Sequence, residues 1–242
     1  MKKTLLLLSA VLLFGYEAKV EPFDTYKIKS SVAGSVVLSN KNLEAVNVKN
    51  GLLVRLDTKK DMIDLNNLKK QAEILKQEIK NQEELVKRKK EEYETYKNLK
   101  TKSKTQKNLK FYDYINAYNQ LLNLKSNLQN TIASIDKLKD TINKKNIKAT
   151  GYVYKIYPNV GDYLAPGVVV ADVYNVSKEK IILYVPLNEK IKPRVYINGK
   201  PSNFKIYKKY SVPDSKYITS YRVELVGKGL KIGEIVKVEF KD

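Results

Sequence analysis

Residues able to do covalent or acid–base chemistry are scarce in this chain. Its 242 residues include no Cys and no His, which excludes thiol catalysis, disulfides, imidazole acid–base work and the usual zinc sites. Two carboxylate pairs remain, Glu83-Glu84 and Glu91-Glu92. Adjacent residues of a helix point about 100° apart and do not face each other, so neither pair can share a proton. Glu83 with Lys87, and Glu84 with Arg88, read instead as surface ion pairs at four-residue spacing. Gly227-Lys228-Gly229 with Gly233 has the glycine content of a phosphate loop but not the spacing of a dinucleotide fingerprint or a Walker loop, and it reads as a β-turn. No catalytic, cofactor-binding or metal-binding residue is expected.

What the chain does carry is positive charge, 46 Lys+Arg against 26 Asp+Glu for a formal +20. Such a balance points to nucleic acid or an acidic membrane surface. Only Arg55, Arg88, Arg194 and Arg222 are arginine, however, and bidentate recognition of phosphate or guanine favours Arg. Lysine spread along the chain beside abundant Asn and Ile reads as a solvated surface, and no nucleic-acid partner is expected. One local cluster stands out: Lys100, Lys102, Lys104 and Lys107 surround the small hydroxyl residues Ser103 and Thr105, next to Leu99.

That cluster sits between two long helical patterns. Leu65, Leu68, Ala72, Leu75, Ile79, Val86, Tyr93 and Tyr96 fall on alternating three- and four-residue spacings, broken only by Gln82 and Lys89. Tyr114, Ala117, Leu121, Leu124, Leu128, Thr131, Ile135, Leu138 and Ile142 repeat the spacing, and no Gly or Pro occurs between Asp61 and Lys145. Thr101 to Lys110 offers nothing to continue the stripe, so the two seams must fold back antiparallel about a turn between Thr101 and Thr105. Each arm of about 40 residues is about 60 Å long, a projecting rod. Ile74, Leu85, Ile115, Tyr118, Leu122 and Ile132 lie off the seam and mark a further interface.

Flanking the rod are β patterns. Tyr26 to Asp57 holds short alternating apolar runs, and Asn146 to Val176 repeats the theme. Gly34 and Val36, then Val48, Gly51, Leu53 and Leu56, match Gly151 and Val153, then Leu164, Gly167, Val169 and Asp172. Neither piece, at about 30 residues, can bury a core alone, whereas together they form one small sandwich with the rod inserted as a loop. Ser177 to Asp242 reads as five or so short strands with an Asn198-Gly199 turn, a small barrel. At the start, Lys2 and Lys3 precede an apolar run from Leu5 to Phe14, about ten residues and too short to span a bilayer. This is a signal peptide, with cleavage expected after Ala18, and it implies an exported protein.

Gly151, Val153, Val160, Gly161, Asp162, Leu164, Pro166 and Gly167, in a repeat split by a heptad hairpin and preceded by a signal peptide, resemble the HlyD-like periplasmic adaptor, or membrane fusion, proteins of bacterial tripartite efflux pumps. In the first half Ala45 stands where that family usually has a Gly six residues before Gly51. A true biotin or lipoyl carrier needs one contiguous domain with an acceptor Lys at a hairpin tip, and that context is missing. The resemblance implies an α+β fold: a long antiparallel coiled-coil hairpin (58–145) inserted into a split biotinyl-lipoyl-like sandwich (26–57 and 146–176), followed by a small β-barrel (177–242), after a signal peptide at 1–18. Gly34, Gly51, Gly151, Gly161 and Gly167 become the turns of the lipoyl-like unit. The membrane-proximal domain common in the family is expected to be absent or reduced, with Lys19 to Thr25 as a partial replacement.

The resemblance further implies a non-enzymatic periplasmic adaptor, without cofactor. It would bridge an inner-membrane transporter of RND type and a TolC-type outer-membrane channel, associate with the inner membrane through the transporter, and oligomerise as a trimer or hexamer. An ABC-type exporter, or a secreted coiled-coil interaction protein with no transporter, are the alternatives. In the family an Arg, a Leu and a Ser near the hairpin turn meet the channel; here Leu99 keeps the Leu, while Thr95 and Gln106 fall on the other two positions, with Ser103 or Thr105 available to a shorter turn. The lysines Lys100, Lys102, Lys104 and Lys107 are the expected channel contacts.

Overall fold

The computed structural model describes residues 15–213 and 216–242. Two long helices project from an open antiparallel sheet, in the order β1 (Tyr16–Lys29), β2 (Gly34–Ser39), a 3-10 turn (Lys41–Leu43), β3 (Val46–Leu56), α1 (Lys59–Asn98), α2 (Lys104–Lys144), β4 (Asn146–Ile156), β5 (Tyr163–Leu164), β6 (Val169–Pro186), β7 (Arg194–Ile197), β8 (Lys200–Pro201), β9 (Lys205–Lys209), β10 (Ser220–Gly227) and β11 (Ile235–Lys241). The hairpin lies where the heptads place it. Every seam position is buried or half-buried, and the turn, Leu99 to Ser103, falls close to the expected centre.

Two cores divide the sheet. The first gathers Val36, Leu53, Val54 and Leu56 from before the hairpin with Ile147, Val153, Ile156, Leu164, Val170 and Val173 from after it. Each side chain of this size contributes about 1.5–3 kcal/mol when removed from water. The two halves therefore complete one another, as the repeat predicts. The second core holds Val20, Ile181, Leu183, Val185, Val195, Ile197, Phe204, Val223, Leu225, Val236 and Val238. Its strands curl around these residues, but among the described residues no pairing joins β8 to β9, so the sheet stays open where a small barrel is expected.

The border expected at 176/177 falls inside a continuous strand and not in a linker. Strand β6 crosses it without a break, pairing with β4 as far as Tyr174 and with β10 from Glu179 onward. Its partner β1 does the same, from Val20 opposite Ile181 to Lys29 opposite Val169, with a register shift between Pro22 and Asp24. Proline has no N–H to give a ladder, so a bulge is where a strand tolerates it. Lys19 to Thr25 is thus part of this shared ribbon and does not form a reduced extra domain.

Of the segment expected to be a signal peptide, residues 1–14 lie outside the described residues, whereas Tyr16–Ala18 is strand. Tyr16, Glu17, Ala18 and Lys19 pair with Val238, Lys237, Val236 and Ile235. The Tyr16 ring meets Phe240 edge-on at 6.2 Å, and its hydroxyl donates to the Glu189 carboxylate. Burial, then Glu189, pushes its phenol well above the usual range. A chain cut after Ala18 would lack three of these four pairs.

The turn glycines sort into two kinds. Gly161 and Gly167 have φ of 96° and 89° in turns, Gly151 has φ 132° inside strand β4 rather than in the turn expected of it, and Gly34 and Gly51, also in strands, do not have positive φ. A Cβ on Gly34 would press on Leu56, and one on Gly51 on Val48, so these two serve close packing. Ala45, at the position of the missing glycine, adopts φ 61°. The turn forms there without its glycine, and its N–H still reaches the Val153 carbonyl at 2.8 Å.

Four stability measurements follow, each by thermal denaturation. Ala45→Gly should stabilise by about 1 kcal/mol, raising the midpoint about 2–4 °C, because a Cβ costs about that much in this conformation. Gly167→Val should cost more than about 1 kcal/mol through conformation alone. Gly151→Val should cost more still, since its Cβ would also lie 2.9 Å from the Tyr174 carbonyl. A chain starting at Lys19 should melt about 4–8 °C below one starting at Gly15, about 2 kcal/mol for the lost strand pairs and Tyr16 contacts.

Candidate functional site

The hairpin is the feature with the most to say about function, and its construction changes along its length. Near the sheet the seam is apolar, with Leu65, Ala72 and Ile135 packed against Leu68, Leu128, Leu138 and Ile142. The base is pinned by Lys145, whose Nζ contacts Asp61 at 2.5 Å and the Asp57 carbonyl at 2.8 Å. Farther out, Gln82 breaks the stripe but donates to the Ala117 carbonyl at 2.8 Å and to Gln120 at 3.3 Å, so the polar layer is bonded across the seam and helps fix its register.

Close to the turn the seam becomes aromatic and charged. Tyr93 packs on Phe111 with ring centroids 5.3 Å apart, and Tyr96 is covered by Lys102 at 5.1 Å and Lys110 at 5.4 Å. Glu92 receives Lys110 at 2.6 Å from the opposite helix and Lys89 at 3.3 Å from its own. These bonds, that from Lys110 first, hold the Glu92 carboxyl below its ordinary pKa and the Lys110 ammonium above its own. This collar of rings and ion pairs replaces aliphatic packing near the turn.

The turn itself is set by Ser103, the N-cap of α2, in a reciprocal capping box with Gln106. Ser103 is thus engaged in closing the helix rather than offered to a partner, and Thr105 is the second residue of α2. Leu99 caps α1 and is 40% exposed. Lys100 and Lys104 are exposed. Lys102 lies half-buried over Tyr96, and Lys107 donates to the Lys97 carbonyl at 3.0 Å. Of the expected contact residues, Leu99, Lys100, Lys104 and Thr105 are presented outward, while Lys102, Ser103 and Lys107 also hold the turn together. The aromatic collar was not anticipated, although tyrosines with lysines four or more residues away on both arms carry its signal.

Along the rod, Ile74, Tyr118, Leu122 and Ile132 are 60%, 41%, 47% and 43% exposed, and Leu85 and Ile115 are half-buried. Elsewhere, Tyr154 stacks on Tyr174 at 5.0 Å beside Pro22, Val176 and Ile232, forming an aromatic cleft of about 430 Å³ at the ribbon between the two cores. Tyr157 donates to Asp172 at 2.6 Å on the neighbouring surface. Among the described residues no helix is long and apolar enough to cross a membrane, and no group of three or more acidic side chains gathers to hold a metal ion.

No family model matches the chain and no curated protein matches it in sequence. Solved structures do match its shape. MacA from Actinobacillus actinomycetemcomitans superposes with a TM-score of 0.80 at 15% identity, over 94% of this chain and 78% of MacA. The membrane fusion protein Spr0693 from Streptococcus pneumoniae R6 superposes with a TM-score of 0.62 at 12% identity, over 94% of this chain and 98% of its own. A putative efflux transporter from Bacteroides eggerthii gives 0.57 at 14% identity, over 93% of this chain and 67% of its own. The chain has the fold of the membrane fusion, or periplasmic adaptor, proteins.

Ser103→Ala should cost about 1 kcal/mol of local stability and speed hydrogen exchange at the first turn of α2, while leaving the sheet unchanged. Acid should loosen the collar. Glu92 titrates below its ordinary pKa in the fold, so its contribution is complete above about pH 4.5 and is lost as pH falls through the lowered value. Protection factors at residues 89–96, taken relative to the intrinsic exchange rate at each pH, should fall on acidification in the parent, and Glu92→Gln should remove most of that fall.

Proposed function

We propose that this chain is the periplasmic adaptor subunit of a tripartite efflux pump, joining an inner-membrane transporter of RND type to a TolC-type outer-membrane channel. The observation that carries the reading is the likeness to MacA over 94% of the chain, hairpin and both β units together. The first β unit then serves as the biotinyl-lipoyl-like domain, and the second, open between β8 and β9, takes the place of the adaptor's barrel. The name membrane fusion protein attached to Spr0693, and the putative efflux role of the Bacteroides eggerthii protein, support the same class. The protein acts in the periplasm after export, without catalysis, by holding two membrane machines in line.

Assembly follows from geometry. A two-helix rod buries one stripe per helix and leaves Ile74, Tyr118, Leu122 and Ile132 to solvent, enough apolar surface to favour rods packing side by side in a trimer or hexamer. At the end of such a tube Leu99, Lys100 and Lys104 repeat around a ring. Contacts that are weak singly then add by multivalency against acidic or carbonyl-rich grooves of a channel mouth.

Replacing Lys100 and Lys104 with Glu should abolish efflux-dependent resistance while leaving the melting temperature and co-purification with the transporter unchanged, because both side chains are exposed. Resistance at the parental level with normal expression would refute the tip contact. Recovery of an ABC exporter, rather than an RND protein, by affinity purification from crosslinked cells would replace the proposed transporter. A strictly monomeric protein under the same crosslinking would refute the tube.

A further inference from the structure

Where the sheet stays open between β8 and β9, the chain crosses the gap through residues 202–204. A cleft of about 490 Å³ lies there, within the size range of small-molecule sites. One wall is formed by residues 197–204, the end of β7, its hairpin with β8 and the crossing, and the other by residues 228–230, the turn after β10.

The walls are fastened to one another. The Asn203 side chain donates to the Lys228 carbonyl at 2.9 Å and accepts from the Lys228 N–H at 3.2 Å. Ser202 is held to β7 by its N–H and its hydroxyl, which donate to the Val195 carbonyl at 3.0 Å and 2.9 Å. The apolar lining comes from the second core: Ile197 and Phe204 are buried in it, and Leu230 packs against it. A Cβ on Gly227 would lie 2.4 Å from the Phe204 ring, so the glycine is what allows that ring to sit at the gap.

Charge around the cleft is one-sided. Every charged residue from 190 through 213 is a lysine or arginine. Lys200 stands on one wall and Lys228 on the other, both exposed, and neither ammonium has an ion-pair, hydrogen-bond or ring partner among the described residues. No carboxylate lines the cleft. Those on the neighbouring strands are engaged or lie outside it: Glu224 is held by Arg222, Glu239 by Lys241, Glu234 accepts from the Lys231 N–H at 3.4 Å, and Glu179, the register partner of Gly227, is not in the lining. Two like charges facing one cleft disfavour each other, and an anion between them removes that cost.

We propose that this cleft binds an organic anion with an apolar body. A carboxylate, sulfate or phosphate head sits between Lys200 and Lys228, and hydrocarbon covers Ile197, Phe204 and Leu230. Each half of such a ligand needs the other. Exposed lysines are strongly hydrated and hold a bare inorganic ion poorly, whereas a neutral hydrocarbon leaves both charges uncompensated. Joined in one molecule, the head selects the sign of charge and the body supplies the gain from leaving water. The site belongs to the second β unit alone, so it goes beyond the adaptor reading and does not rest on it.

Sodium dodecanoate, kept below its micelle concentration, is titrated calorimetrically into the full chain at about 0.15 M salt. The expected result is saturable binding, weakened by at least about tenfold in Lys200→Glu, Lys228→Glu. Lys69→Glu, Lys70→Glu changes the net charge equally at exposed hairpin positions and should bind as the parent does. Dodecyltrimethylammonium and inorganic phosphate should not compete. Because the chain has no Trp, Leu230→Trp supplies a single emitter, which bromododecanoate should quench on contact while leaving Ile74→Trp on the hairpin bright. If Leu230→Trp does not fold, the calorimetry on the parent and the lysine variants decides alone. Binding seen only above the micelle concentration, equal weakening in the two lysine pairs, equal competition by phosphate or by the cationic amphiphile, or equal quenching at positions 74 and 230 would each overturn the proposal.

Discussion

Val36, Leu53 and Leu56 come from before the hairpin, Ile147, Val153 and Val173 from after it, and all six pack in one core. Neither set can leave water without the other, because a piece of about 30 residues has too little interior. The two ends of the hairpin are therefore held side by side, with Leu56 N–H donating to the Lys145 carbonyl at 2.9 Å and Lys145 closing on Asp61. Once the base is fixed, the helices have no freedom except to run antiparallel, and the seam decides how they face. The rod's length and its turn follow from the heptads, but its attachment follows from this shared core.

The second constraint is the ribbon of β1 and β6. Both strands pass from one core to the other, so the two β units are joined by paired backbone rather than by a loose linker. The ribbon is interrupted at the shift between Pro22 and Asp24, where the aromatic cleft of Tyr154 and Tyr174 opens. An interrupted ladder bends more readily than a continuous one, so this is the place where the two units can adjust to one another without either core being disturbed.

Charge is distributed by the same logic. Along the rod, ion pairs such as Lys125 with Glu83 at 2.7 Å and Lys110 with Glu92 at 2.6 Å bridge the helices and are too exposed to add much stability, yet they favour one register over its neighbours. Inside the second β unit, Glu224 and Glu239 are buried and paired, with Arg222 at 2.7 Å and Lys241 at 2.8 Å, and Tyr210 adds a hydrogen bond to Glu224. Buried carboxylates of this kind hold a geometry more than they lower its energy. Lys100 and Lys104 at the turn are left exposed.

The sequence by itself determined the hairpin, from Leu65 through Ile142, and the strand character of what flanks it. Helical periodicity is written in neighbouring residues, and neither Gly nor Pro interrupts it. It also excluded thiol and imidazole chemistry by composition alone, and the Gly151 to Gly167 pattern pointed to the fold that the solved structures share. Only the tertiary structure decided that Tyr16–Ala18 is strand, that β6 belongs to both cores, that Ala45 can stand in the left-handed region, and that Ser103 and Lys107 fasten the turn they were expected to present. Each of these rests on partners far apart in the chain, Tyr16 on Val238 or Ala45 on Val153, or on competition between alternative bonds for one side chain. A strand's partners and register are set by which faces pack together, and no local spacing records that.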